Sequence, residues 1–527
     1  MKRRTGVTAL ALAAVAFAAQ AATLPAPVRA QDLPVDDPVV RSIVEEGSSR
    51  SRLEPLAHAL LDSIGPRLSG TAGYDAAVEW LVARYEEWGL PVRADTVGTW
   101  TGWEAGPVHV DLLEPRRRSL EAHLLAYSTG TDGPLEAPVI LLPEGLTEEN
   151  AGAWLAGLEG AFVLATPPEP TCRAPGELEA NARPETVARI DSLRTAYRVA
   201  WARKVAPLGG PWRALRRLGE GRPAGVLSSW WSEGWGATKI HEAFSSDVPH
   251  IALSCEDYGL LYRLAERGAP PRIRVDARAE RTGEAPHANV IAEIRGTGRP
   301  HEYVVLSAHL DSWHAASGAT DNGTGTLIML EAMRLLKAAG VAPSRTILVG
   351  HWAGEEQGLI GSRAFVEDHP DVVSGLQAVF NQDNGTWRVE RIEGQGLLRA
   401  GERLGRWISY LPREIADGIT LELPGTQDNT GSDHSSFLCA GAPAFRLQSP
   451  YEEYRRYTWH TERDTFDKLV FEDLRQNAIL AAVLAWAAAE DPEPTPRDRA
   501  LLPADPETGE PRAWLECRPA RRTPPEG

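Results

Sequence analysis

The stretch from Tyr303 to Glu356 constrains the fold more than any other. An apolar run, Tyr303-Val-Val-Leu-Ser-Ala, ends in His309-Leu310-Asp311. A Gly-flanked loop carrying Asp321 follows, then a segment of helical length from Thr324 to Ala339, closed by Gly340. A second apolar run, Arg345-Thr-Ile-Leu-Val, leads to Glu355-Glu356. Short β-branched runs suit buried parallel strands, and a long periodic segment between them suits a helix. This is a βαβ crossover with His, Asp and Glu at its strand ends. Open α/β sheets bind ligands outside the carboxyl ends of their strands. The expected fold is therefore α/β, a mixed, mostly parallel sheet flanked by helices.

At 527 residues the chain exceeds one simple core, so two domains are expected. The net charge of -17 argues against a general nucleic-acid binder. Residues 1–30 read as a secretory signal: Lys2-Arg3-Arg4, an apolar run from Val7 to Ala19, then small-residue cleavage sites near Ala21 and Ala30. No later segment approaches about 18 unbroken apolar residues, so no membrane anchor is expected. The protein is accordingly expected to be secreted or periplasmic. Export permits disulfides among Cys172, Cys255, Cys439 and Cys517, but spacing leaves the pairing open.

Helices are expected around Val39–Val44, Leu56–Leu61 and Ala76–Trp88, then strands from Val92. Residues 125–277 change character, with short apolar runs separated by Gly and Pro, and read as an insertion. Its Arg-rich middle, 183–222, reads as a solvated helix face. Residues 31–124 and 278–490 then form one discontinuous domain. Leu376–Asn381 and Ala444–Leu447 read as strands, Gly361–Asp368 and Phe471–Ala489 as helices. The Pro-rich tail, 491–527, is expected to be loosely ordered.

Five groups have the character of a two-metal site: His309, Asp321, Glu356, Asp383 and His460. Imidazole with carboxylate suits Zn²⁺, and Mn²⁺ or Co²⁺ fit the same donors. Two zinc ions carry about +4 and three carboxylates about -3, so a bridging hydroxide brings the site near neutrality. Asp321, at the centre of the set, is the expected bridge. Asp311 shares a strand face with His309 and is expected to orient the imidazole. The side chains of Glu355 and Glu356 diverge, so one can bind metal while the other acts as general base. Such a set points to hydrolysis of a carbonyl compound, most simply a peptide bond.

Ser307-Ala-His309-Leu-Asp311, Gly318-Ala-Thr-Asp321-Asn-Gly, Glu355-Glu356-Gln-Gly-Leu-Ile-Gly-Ser, Asp383-Asn-Gly and His460-Thr-Glu-Arg-Asp464-Thr465 together resemble the co-catalytic zinc exopeptidases. That family includes aminopeptidase Y, glutamate carboxypeptidase and carboxypeptidase Q, and the step from His309 to Asp321 is most similar to the last. The resemblance spans Ile64 to Lys468. It implies two Zn²⁺ per chain, one on His309, Asp321 and Asp383, the other on Asp321, Glu356 and His460. It implies Glu355 as general base beside a metal-bridging hydroxide, and Asp311 as partner of His309. It further implies a cis peptide at Asp321-Asn322, a β-rich protease-associated insertion that caps the cleft, and a homodimer. The loop Gly431–Phe437 resembles one beside the substrate, which makes His434 a candidate substrate or oxyanion contact. Some relatives place a Tyr directly before the last His ligand. Here Trp459 stands there, leaving Tyr457 or Tyr454 as candidate donors. The expected activity is hydrolysis of dipeptides or short peptides. An aminopeptidase on longer peptides is the alternative. A glutaminyl-cyclase-like acyltransferase is disfavoured by His309 and Asp383, and a non-catalytic receptor-type relative by the full ligand set.

Overall fold

The computed structural model describes residues 36–245, 247–427, 431–502, 504, 508–510 and 512–524. The expected signal segment lies outside these.

Four parallel strands form the centre: Ala444–Gln448, Leu376–Gln382, Arg299–His309 and Arg345–Trp352, side by side in that order. Every residue of Arg345–Trp352 and of Leu376–Gln382 is buried, which explains why these runs are apolar without alternation. The crossover helix Thr324–Ala338 is buried over Thr324–Leu336 and packs against the long helix Phe471–Glu490. Helices cover the sheet, and the core joins Leu306, Leu330, Ile347, Phe380 and Leu484.

A two-stranded ribbon carries the chain away from this core. Val92–Glu114 pairs antiparallel with Arg272–Ile294 along almost its whole length. One end of Arg272–Ile294 pairs with Arg345–Trp352, and the other with Leu135–Leu141. Beyond that strand lie Phe162–Leu164, Gly225–Ser228 and His250–Leu253, mutually parallel. A second core, with Val110, Leu112, Phe162, Ile251 and Ile273, forms there. The ribbon thus supplies residues to both cores. The segment between its strands differs from the β-rich expectation. Helices Glu148–Leu155, Pro184–Val205, Pro211–Glu220 and Cys255–Glu266 hold far more of it than the short strands do. Its strands need only three or four residues because they pair on both sides, and helices cover them.

Disulfides join Cys172 to Cys255 and Cys439 to Cys517. The second corrects the expectation of a loose tail. Beyond the bridge, Arg522 ion-pairs with Glu367 and Asp368, and its carbonyl accepts from Thr99 N at 2.9 Å. Composition alone could not reveal these anchors, since each partner lies elsewhere in the chain. No helix among the described residues is long and apolar enough to cross a membrane.

Candidate active site

Three of the five proposed metal donors stand at a strand end or just beyond one. His309 closes Arg299–His309, Glu355 and Glu356 follow Arg345–Trp352, and Asp383 follows Leu376–Gln382. Asp321 sits in a short distorted turn just before the crossover helix, and the Asp321–Asn322 peptide is cis. His460 has a left-handed backbone, φ 61°, in the loop before the last long helix.

The side chains converge in two groups. His309 Nε2 lies 3.1 Å from Asp383 Oδ1 and 3.5 Å from Asp321 Oδ1. His460 Nε2 lies 2.9 Å from Glu356 Oε2 and 3.5 Å from Asp321 Oδ2. Within each group the donor atoms fall within 4.8 Å of one another, and Asp321 belongs to both. Burial pushes Glu355 and Glu356 well above the usual carboxylate range, and neighbouring carboxylates push the same way. Burial alone would lower His309, but Asp383, Asp311 and Asp321 outweigh it and hold it well above its usual value. At His460 burial prevails and the pKa falls to about 4. Asp321 Oδ2 and Glu356 Oε1 are buried without a hydrogen-bond donor. Buried carboxylates crowded together without donors need cationic charge. Oxygen and imidazole nitrogen from five residues fit two divalent ions that share Asp321.

The pattern of these residues has a counterpart among known proteins. Residues 289–485 match Peptidase family M28. The chain carries an M28 peptidase domain. It is 28% identical over 479 residues to carboxypeptidase Q of Xenopus laevis, covering 87% of this chain and 91% of that protein. Two solved structures share the fold. One is a peptidase M28 precursor from Shewanella amazonensis, with TM-score 0.63 and 24% identity, covering 87% of this chain and 97% of that one. The other is a zinc aminopeptidase from Bacillus subtilis, with TM-score 0.56 and 19% identity, covering 83% and 94%. The chain is a metallopeptidase.

Within the M28 site, Asp311 works differently from the expectation. His309 Nδ1 is 3.0 Å from the Asp311 backbone carbonyl, but 3.6 Å from its carboxylate. The carboxylate instead accepts from the Glu355 and Glu356 backbone N–H groups at 3.0 and 3.1 Å. Asp311 therefore positions the Glu pair as well as the imidazole. It is fully buried and does not reach the cleft.

His434 and Tyr457 are not brought to the cleft. His434 is completely buried at the start of the helix His434–Cys439, and the cleft wall does not include it. Tyr457 is 40% exposed and faces Gly234 of the insertion. The irregular turn Tyr454–Thr458 directs Tyr454 inward instead. Burial raises the Tyr454 phenol well above its usual pKa, with Asp321 and Asp383 adding to the effect. Asn322 and Asn384, each followed by Gly-Thr, are fully buried.

Other residues had no assigned role. Asp464 accepts from Thr320 N at 2.8 Å, Thr320 Oγ1 at 2.8 Å and Asp321 N at 2.9 Å, and so holds the bridging loop. Burial pushes it up to about 7. Its place in His460-Thr-Glu-Arg-Asp464 was the signal that could have found it. Arg67 is fully buried and donates to the carbonyls of Leu310 at 2.8 Å and Gly318 at 2.9 Å, bracing the same loop. Asp433, pushed to about 7 by burial, stands behind the donors where His434 had been the candidate. The open space is a cleft of about 1330 Å³. The insertion borders the site: Ile240 N donates to His460 O at 2.7 Å, and the His241 and His460 rings lie 5.3 Å apart.

Proposed function

We propose that this chain is a secreted two-zinc exopeptidase hydrolysing dipeptides or short peptides. One observation carries the reading: two donor triads share Asp321 in the cleft where Glu355 stands. When bound, the two ions supply Lewis-acid polarisation of the scissile carbonyl and lower the pKa of a water. His309, Asp321 and Asp383 would hold one, and Asp321, Glu356 and His460 the other. Zinc is favoured by the donor set and by the zinc aminopeptidase with the same fold.

Glu355 is the general base. It takes a proton from the attacking water and delivers it to the leaving amine nitrogen. The C–O bond forms, the C–N bond breaks, and Glu355 returns to its starting charge. Asp311 fixes the backbone from which Glu355 projects. Tyr454, on the cleft wall, is the hydrogen-bond donor for the developing oxyanion. The insertion, hydrogen-bonded to the His460 loop, limits substrate length. Carboxypeptidase Q, to which the chain is similar along most of its length, supports an exopeptidase. Export is supported by the N-terminal pattern and by two disulfides. A homodimer belongs to the same reading and is checked by sedimentation.

The test uses zinc-loaded protein with a dipeptide, its N-acetyl and C-amide forms, and a free-ended pentapeptide, with products followed by mass spectrometry. Cleavage of the dipeptide with little action on the pentapeptide is expected. Sequential trimming of the pentapeptide would establish an aminopeptidase or carboxypeptidase on longer chains. No cleavage of any substrate would overturn the reading.

A further inference from the structure

The cleft wall beside Glu355 includes the C-terminal tail. Arg518, Pro519 and Arg521 line the same space as Glu355, Glu356 and Arg363. This tail lies beyond the residues that match Peptidase family M28, which end at 485. It is fastened on both sides of the cleft residues. Cys517 is bonded to Cys439 on one side. On the other, Ala520 N donates to Glu367 Oε1 at 2.8 Å and Arg522 ion-pairs with Glu367 and Asp368. Residues 518–521 therefore line one wall of the cleft as a strap held at both ends.

The strap places like charges together. Arg518 and Arg521 lie near enough to Arg363 to depress its pKa, adding to the larger effect of its burial. The carboxyls of Asp433 and Glu355 act on Arg363 in the opposite sense. Of the other cleft arginines, Arg455 lies over the Tyr451 and Trp459 rings, and two have polar partners. Arg391 pairs with Glu393 and Glu422, and Arg446 donates to the Asp383 carbonyl at 3.1 Å. The guanidinium groups of Arg363, Arg518 and Arg521 make no ion pair or hydrogen bond among the described residues, although Arg521 sits 6.0 Å over the Trp100 ring and near Glu242. The guanidinium fork matches a carboxylate with two parallel hydrogen bonds.

We propose that the disulfide-fastened strap, through Arg518 and Arg521 with Arg363, binds the carboxylate of a short peptide on the leaving-group side of the scissile bond. This rests on the exopeptidase reading and names the group that the site selects. The strap would explain why a small substrate is preferred, since a longer chain continues where the carboxylate should sit.

Two arms test it on the zinc-loaded protein. Calorimetry compares N-acetyl-leucine, its amide, and N-acetyl-aspartic α-amide, which carries only a side-chain carboxylate. Turnover compares a free dipeptide with its C-amide. The proteins are wild type, Arg518→Gln/Arg521→Gln, Cys439→Ser/Cys517→Ser, and Arg518→Lys. Wild type is expected to prefer N-acetyl-leucine over its amide tenfold or more. Both double variants should lose most of that preference, mainly through KM in the turnover arm, and Arg518→Lys should retain part. Preference confined to the aspartic ligand would assign the same strap to acidic side chains. No carboxylate preference in wild type, or full preference in the double arginine variant, would overturn the proposal. The binding arm needs no turnover. Binding preference without cleavage would leave the strap standing while the exopeptidase reading falls.

Discussion

Residues that touch the chemistry and residues that hold them should respond differently to mutation. Glu355→Gln keeps shape but removes the proton acceptor. It is expected to lower kcat by about 10²–10⁴ with zinc content unchanged, measured by turnover alongside metal analysis. Equal loss of metal and activity would instead make Glu355 a ligand. Asp464→Ala removes the acceptor of Thr320 and Asp321 N–H groups, and the bridging loop loses its brace. Metal affinity should fall by roughly 10–100-fold, read by competition with a chelator. His309, Glu356 and Asp383 were legible in the sequence because each follows a recognisable apolar run, whereas Asp321 and His460 stand in polar loops. Tyr454 over Tyr457 was not legible. Three residues apart in an irregular turn, only the backbone path decides which ring enters the cleft.

At the scale of an element, the crossover helix Thr324–Ala338 ties together the strand ending in His309 and the strand leading to Glu355 and Glu356. Its buried face is so wide that periodicity shows its length but not its neighbours. Leu330 is completely buried within it. Leu330→Ala should cost about 2–5 kcal/mol of stability, measured by urea unfolding. The glycine before the bridging loop is equally constrained. Gly318 has φ 58°, and a Cβ there would lie 2.3 Å from Ser312 Cβ. Strands and helices in the catalytic half were read correctly from period and punctuation. The insertion was misjudged as β-rich because its short apolar runs look alike whether sheet or helix neighbours bury them. Its helix Pro184–Val205 is polar on most of its surface and carries a weak pattern of its own.

Across the whole molecule, buried histidines make the fold acid-sensitive. Burial lowers His250, His287 and His314 to about 4 and His351 to about 3. Their folded pKa lies below the unfolded value of about 6.5, so the unfolded chain binds more protons between these limits. The histidine contribution is therefore full above about pH 6.5 and falls as pH drops toward 4, by up to about 1.4 kcal/mol per pH unit for each histidine, against the opposite trend of the buried carboxyls Asp433 and Asp464, which are raised to about 7. Urea unfolding at pH 7, 6 and 5, with metal state held constant, checks this. His351→Gln should flatten the slope, since it removes one of the buried imidazoles. The same long-range packing explains where sequence reading stopped. By itself, the chain determined a parallel α/β sheet with a His, Asp and Glu set at its strand ends, because apolar runs and adjacent polar residues are local properties. Only the tertiary structure decided that Asp311 holds the Glu pair, that Asp464 and Arg67 brace the bridging loop, and that the tail reaches the cleft. Those contacts join residues up to hundreds of positions apart, and their energy exists only once the chain has folded.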